Sequence, residues 1–128
     1  PARFLSRPPS SAATGAQAKK TDTMAKFLFN TTFTVDDRMR DGWLKWMAGI
    51  YGPAMRAASG GCPHELYSID GTRQDGAQSY SSQWRCDTLE QLGNLRSTSA
   101  RLCQEVMETH GEACLAFSTL MRGLNLAD

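Results

Sequence analysis

The stretch from Lys26 to Tyr51, KFLFNTTFTVDDRMRDGWLKWMAGIY, decides the fold of this chain. Its first ten residues alternate between two kinds of side chain. One side of an extended chain would carry Phe27, Phe29, Phe33 and Val35, and the other Leu28, Asn30, Thr32 and Thr34. A period of two in aromatic and β-branched residues predicts a strand with two different faces.

At Asp36 the apolar period changes from two to that of a helix. Met39, Trp43, Met47 and Ile50 recur at spacings of four, four and three, so one stripe of the helix is apolar. Asp36 or Asp37 can supply the N-cap oxygen at the positive end of the helix dipole. We therefore predict that Trp43 and Met47 are buried against the sheet.

The remaining chain predicts four more elements. Gly52-Pro53 predicts a break in the first helix, with one more short turn before Gly60-Gly61. The four elements are a strand His64–Asp70, a strand Ala77–Cys86, a helix opened by an Asp87–Glu90 capping box and ended by Gly111, and a strand Cys114–Met121. Gly93 and the small polar residues Ser97, Thr98 and Ser99 predict a kink or a restart within the second helix, with Ser97 or Thr98 as a second cap.

The order of the elements is strand, helix, strand, strand, helix, strand. This order predicts an α+β fold of the ferredoxin-like βαββαβ kind, a four-stranded antiparallel sheet with two helices on one face. The other face of such a sheet is left open, so it must be solvated, bind a ligand or meet another subunit.

Composition limits the classes of partner. The chain has 128 residues, 41% hydrophobic and 21% charged, with a net charge of +1, as expected of one soluble domain. Residues 1–23 carry four basic side chains and one acidic one, so the remainder is mildly acidic and lacks a basic stripe. No run approaches the ~18 apolar residues of a membrane span. We expect neither nucleic acid nor a membrane as partner, and a cytoplasmic location.

Residues 1–23 differ in composition from everything after them. They are rich in Ala, Ser, Pro and Thr, and a segment of this kind cannot bury enough surface to offset its ordering entropy. We expect a disordered, dispensable N-terminal extension, followed by the folded domain at residues 24–128. The extension faintly resembles an organellar transit peptide. The interpretation we favour is a non-native or wrongly assigned upstream extension, with Met24 as the true start.

The four cysteines, Cys62, Cys86, Cys103 and Cys114, include no C-x-x-C pair. Structural zinc sites usually draw ligands from close pairs, and Cys62-x-His64 alone has no supporting spacing. We therefore expect free thiols, no metal and no cofactor. Gly60-Gly61 lacks the spacing of a nucleotide-binding loop.

Four separated segments carry a resemblance to a known family: FNTTFTVDD, WLKWM with YGP after it, GAQSYSSQW, and HGEACLAFSTLM. In this order and spacing they resemble a bacterial domain-of-unknown-function family of about a hundred residues, similar in fold to the dimeric α/β-barrel superfamily. The match runs from Met24 to about Leu124. The resemblance implies the ferredoxin-like fold and a homodimer formed by sheet-to-sheet packing. No catalytic residues are carried over from the family to this sequence.

Small polar residues at period two define a candidate site. Asn30, Thr32 and Thr34 on the first strand, Ser81 and Gln83 on the third, and Ser118 on the fourth would line the open face if they share it. Trp84 joins the ligand-binding candidates Asn30, Thr32, Gln83 and Ser118 because some dimeric α/β-barrel enzymes use an Asn, a Trp and a His. Here those would be Asn30, Trp84 and His110. A histidine at a helix end more often caps that helix, and a tryptophan in a strand more often packs in the core.

Two functions stay open. The first is a homodimeric binding or structural protein with no evident catalytic constellation, which is the interpretation we favour. The second is a cofactor-independent monooxygenase-like or isomerase-like enzyme with a pocket beside the sheet, acting on a small-molecule ligand. A pocket of about 300 Å³ or more, with Asn30, Trp84 or a histidine pointing into it, would favour the second.

Overall fold

The computed structural model describes residues 25–71 and 76–126. The predicted disordered extension, residues 1–23, lies outside the described residues. Within the described residues, no helix is long and apolar enough to cross a membrane.

Four strands form one antiparallel sheet. They are β1 (Phe27–Asp36), β2 (His64–Ser68), β3 (Ala77–Cys86) and β4 (Cys114–Arg122). Their order across the sheet is β2-β3-β1-β4, and each neighbouring pair is antiparallel. This arrangement, with the helices packed on one face, is the ferredoxin-like α+β fold that the element order predicts. The predicted bounds of β3 are confirmed, and β2 ends two residues earlier than expected.

The first helix, α1, is continuous where the sequence predicts a break. It consists of Arg40–Trp46, a π-helical turn Met47–Tyr51, and Gly52–Ser59, and the cap residues between these segments are all right-handed helical. Asp36 caps the short 3-10 turn that leads into it, as predicted, with its carboxylate accepting from the backbone N–H of Arg38. The predicted break at Gly52-Pro53 is wrong, because the π turn before Gly52 accommodates Pro53 without ending the helix. The stop at Gly60, in the left-handed conformation, is confirmed.

The π turn also changes which side chains face the sheet. Trp43 and Met47 are buried, as predicted, but Ile50 is 52% exposed and Tyr51 is fully buried in its place. In a π turn the backbone hydrogen bonds join residue i to residue i+5, so one turn contains more than four residues. Tyr51, four positions after Met47, therefore lies on the same face as Met47, and Ile50, three positions after it, is turned away. The buried stripe is Met39 (partly), Trp43, Met47, Tyr51 and Met55.

Gly52 closes the π turn, and replacing it tests that geometry. Its N–H donates to the carbonyl of Met47, and a Cβ atom added at Gly52 would lie 2.9 Å from that same oxygen. We expect Gly52→Ala to lower the free energy of unfolding by about 1–3 kcal/mol. Gly42→Ala is the control, because its Cβ would meet nothing within 4 Å. Helix propensity should then raise stability by roughly 0.5–1 kcal/mol. Equal effects in urea titrations would contradict the π-turn constraint.

The second helix, α2 (Leu89–His110), begins one residue later than predicted. Its N-cap is Thr88, and the capping box joins Thr88 to Gln91 instead of Asp87 to Glu90. The helix does not restart near Ser97 but is continuous from Leu89 to His110, and Ser99 packs inward, where it bonds Tyr51 and Cys103. Gly111 ends the helix as predicted. The core lies between the two helices and one face of the sheet.

Candidate functional site

The open face of the sheet carries a connected network of polar side chains. The register pairs Asn30 with Gln83 and Thr32 with Ser81, so all four point to the face without helices. Ser81 Oγ donates to Asn30 Oδ1 (2.5 Å), Asn30 Nδ2 to Thr32 Oγ1 (3.2 Å), and Gln83 Nε2 to Ser81 Oγ (3.1 Å). Asn30 and Ser81 are each only 8% exposed. The predicted grouping of these residues is confirmed.

Ser118 and Trp84 lie on the opposite face from this network. Ser118 pairs with Thr31 in the register, and their hydroxyl oxygens are 3.0 Å apart on the helix-covered side. The expectation that Ser118 shares the open face is therefore wrong. Trp84 pairs with Phe29 and is fully buried in the core. Of the five ligand-binding candidates, the open face thus carries Asn30, Thr32 and Gln83, and the helix-covered face carries Trp84 and Ser118.

Apolar side chains border the polar network. Leu115, Phe117 and Met121 of β4 and Tyr67 of β2 lie on the open face and are 40–63% exposed. The charged pair Arg85 and Glu65 stands at the β2 side of this face, with Arg85 Nη2 and Glu65 Oε1 3.0 Å apart. The open face is therefore apolar along β4, polar and internally bonded at its centre, and nearly free of unpaired charge in the described strands.

The three residues of the oxygenase hypothesis are not brought together. Asn30 is on the open face, Trp84 is in the core, and His110 is exposed at the end of α2. His110 lines a separate small cavity of about 100 Å³ with Trp43 and Trp46. This arrangement gives no Asn–Trp–His pocket.

A groove between α1 and β2 holds the other histidine. Its volume is about 340 Å³, and its walls come from the π turn and the residues around it on one side and from the edge strand on the other. The lining residues are Leu44, Met47, Ala48, Gly52, Pro53, Arg56, His64 and Leu66. The small residues of the π turn leave this space open, and π turns are frequent at functional sites. This volume meets the size that the sequence argument sets for a ligand pocket.

The ring of His64 is held in a fixed orientation at this groove. It stacks on Trp84 with ring centroids 4.2 Å apart and planes 22° apart. Its Nε2 lies 2.8 Å from the hydroxyl oxygen of Ser82. Within the described residues, its Nδ1 has no hydrogen-bond partner. The groove therefore contains a half-buried imidazole with one nitrogen engaged and the other open.

A chain of hydroxyl groups crosses the core through Tyr51. The phenol oxygen of Tyr51 lies 2.8 Å from Ser99 Oγ and donates to Thr31 Oγ1 at 3.4 Å, and the hydroxyl oxygen of Thr31 is 3.0 Å from that of Ser118. Burial raises the pKa of Tyr51 to about 12, so this phenol keeps its proton at neutral pH. The sequence contains a signal for these buried hydroxyl groups, because Thr31 and Ser82 interrupt strand faces that are otherwise aromatic. The sequence analysis did not recognise this signal.

Burial and a neighbouring cation favour the neutral form of His64. Burial is the larger cause that lowers the pKa of His64 and the guanidinium of Arg56 the second, while Glu65 opposes them. The unfolded imidazole titrates near 6.5, so between that value and the lower native pKa the unfolded chain binds more protons. The stability that neutral His64 contributes is thus present above pH 6.5 and lost as the pH falls through the native value.

We expect the melting temperature to fall from pH 7 to pH 5, and the fall to be smaller in His64→Gln. Asp36 and Glu65 also have lowered pKa values, but their ordinary values already lie below 5. Their titration therefore changes the stability mainly below the pH range of this measurement. His110→Gln, at an exposed position, is the control and should keep the wild-type slope. Scanning calorimetry across this range makes the measurement. An unchanged slope in His64→Gln would contradict the assignment.

Burial suppresses the reactive thiolate form of two of the four cysteines. All four are free and buried, as predicted. Burial raises the pKa of Cys86 and of Cys114 to about 11, so both thiols stay protonated at neutral pH. Across residues 25–71 and 76–126, no group of three or more His, Cys, Asp or Glu side chains could hold a metal ion.

The architecture is that of a small ferredoxin-like α+β domain with one open sheet face and a side groove. The chain belongs to the family described as Domain of unknown function (DUF4286), which matches residues 26–124. This match covers the described fold from β1 to just beyond β4. A comparison with curated proteins gives no match.

Proposed function

We propose that this domain works as a homodimeric binding or structural protein whose two copies pack through the open faces of their sheets. The observation that carries the proposal is the composition of that face. Phe117 is 63% exposed and Leu115 47%, beside a polar centre whose four side chains are joined by three hydrogen bonds within one chain. Burying apolar area is favourable, and polar groups that are already hydrogen-bonded cost less to cover than unpaired ones.

The distribution of charge supports the same face. The cores of protein interfaces are depleted in charged residues and enriched in aromatic ones and Met. On the open face, Arg85 and Glu65 already neutralise each other at one side, while Phe117, Met121 and Tyr67 supply apolar contacts. A two-fold axis through the face would place the same patch on both partners, as a symmetric dimer requires. A stable dimer of this kind should bury about 1,200 Å² or more in total.

Sedimentation equilibrium at micromolar concentration tests the proposal. The wild-type chain should sediment as a dimer, and Phe117→Asp, which puts a charge at the centre of the apolar border, as a monomer. Leu89→Asp is the matched control, because Leu89 is 69% exposed at the start of α2 on the helix side. It should stay dimeric. Circular dichroism of both variants confirms that the fold is kept.

Gln83→Glu adds a second test, since it introduces a charge into the polar network itself. A dimer that survives both Phe117→Asp and Gln83→Glu would show that another surface forms the contact. A wild-type monomer at these concentrations would overturn the proposal.

A second candidate is a cofactor-independent enzyme of the isomerase or monooxygenase kind. The observation that favours it is the groove of about 340 Å³ with His64 at its wall. A neutral imidazole, oriented by Ser82 and by stacking on Trp84, has the properties of a general base. Deuterium incorporation into small ketones in D2O, followed by NMR, tests proton abstraction. Exchange in wild type that is lost in His64→Gln would support this candidate, and no exchange above the buffer rate would contradict isomerase chemistry.

A further inference from the structure

The groove between α1 and β2 has an apolar floor and a single cation at its rim. Met47 and Leu66 supply apolar surface from the helix and from the strand, and Arg56 stands one turn beyond Gly52 on α1. In the described part of the chain, no carboxylate pairs with the Arg56 guanidinium. The nearest acidic residue along β2, Glu65, points to the other face and is engaged by Arg85.

The two polar groups at the groove differ in character. Arg56 is a permanent cation with a planar fork of donors that matches a carboxylate. His64 is half-buried, and its open Nδ1 can make one further hydrogen bond. One cation and one uncharged imidazole balance a single negative charge. A phosphate dianion would leave one charge uncompensated beside apolar walls, which is unfavourable.

We propose that this groove binds a small monocarboxylate, with the carboxylate paired to Arg56 and the apolar body lying on Met47 and Leu66. A volume of about 340 Å³ is at the small end of the range for ligand pockets, so the ligand is small. The imidazole of His64 lies at the same wall and adds a hydrogen bond to a polar atom of the ligand. The site does not depend on the proposed dimer, because it is on the helix-covered side of the sheet.

The π turn explains why the groove exists at this position. Gly52 has no side chain, and Ala48 on the preceding turn has a small one, so the helix surface recedes opposite β2. A larger residue at position 52 would also collide with the Met47 carbonyl. The same geometry that keeps Gly52 in the helix therefore keeps the groove open.

NMR titration of the full-length ¹⁵N-labelled chain tests the site. The probes are hexanoate and benzoate, and their uncharged counterparts hexanamide and benzamide are the matched controls. We expect saturable shifts of backbone amides in Met47–Tyr51, at Arg56 and in β2, with each acid binding about tenfold more tightly than its amide. Arg56→Gln should abolish that preference. Arg101→Gln, which removes an exposed arginine on α2, should keep it.

Three results with the wild-type chain would each overturn the inference. They are equal binding of acid and amide to the wild type, shifts confined to open-face residues such as Asn30 and Gln83, and no saturable shift in the groove up to about 10 mM ligand. Loss of the preference in Arg101→Gln as well would also overturn it, because it would indicate a general charge effect. The dimer proposal is judged separately by sedimentation, so each can fail without the other.

Discussion

Replacing Trp43 by alanine is expected to lower the free energy of unfolding by about 3–5 kcal/mol, the range for large-to-small changes in a packed core. Trp43 is 3% exposed and lies between two other rings. Its ring centroid is 5.3 Å from that of Phe33 on β1 and 4.7 Å from that of Tyr80 on β3. The substitution would leave a cavity between α1 and the centre of the sheet, which neighbouring side chains fill only in part.

Trp43→Phe separates packing from polarity at this position. The indole N–H of Trp43 is buried and has no hydrogen-bond partner among the described residues, so removing it costs no hydrogen bond. Phenylalanine keeps a ring between Phe33 and Tyr80, and its cost should be well below that of alanine. Urea unfolding at one fixed protein concentration makes the comparison, since dimerisation would make stability depend on concentration. A cost below about 1 kcal/mol for Trp43→Ala would contradict the packing.

Tyr51→Ala should have an effect of similar size, about 3–5 kcal/mol. Tyr51 is fully buried, and its ring packs edge-on against Phe33 with centroids 5.5 Å apart. The substitution also removes the oxygen that joins Ser99 and Thr31. It therefore combines a loss of packing with a loss of hydrogen bonds at the centre of the core.

Tyr51→Phe isolates the share of the hydroxyl group. It keeps the ring and leaves the hydroxyls of Ser99 and Thr31 without their common partner, at a cost of about 1–3 kcal/mol. Each hydroxyl keeps a second contact, Ser99 with Cys103 and Thr31 with Ser118, so the lower part of this range is expected. If Tyr51→Phe were as stable as the wild type, the hydroxyl chain would contribute nothing to stability. The same unfolding measurements decide this.

The strands β1 and β3 could be predicted well because each shows its own period. Phenylalanine alternates with small polar residues in β1, and Tyr80 and Trp84 alternate with Ser81 and Gln83 in β3. In an extended chain, side chains two positions apart share a face whatever the partner strand. The polar network of the open face needed only the antiparallel pairing of these two strands, which the element order already implied.

Strand β4 could not be placed in the same way. Its two sides read Leu115, Phe117, Thr119 and Met121 on one and Cys114, Ala116, Ser118 and Leu120 on the other, so neither is clearly polar. A shift of one residue in register exchanges the faces, and nothing local opposes that shift. The pairing of Ser118 with Thr31 decided the question. On that otherwise apolar face, the hydroxyl group of Ser118 has Thr31 as its hydrogen-bond partner.

The sequence by itself determined the order of elements, the fold class and the burial of Trp43 and Met47, because these follow from local periods and from cap and turn residues. The tertiary structure alone decided the π turn, the hydroxyl chain around Tyr51 and the groove with Arg56 and His64. Those features depend on which helix turn lies opposite which strand. Such contacts join residues that are distant along the chain, and no local pattern records them.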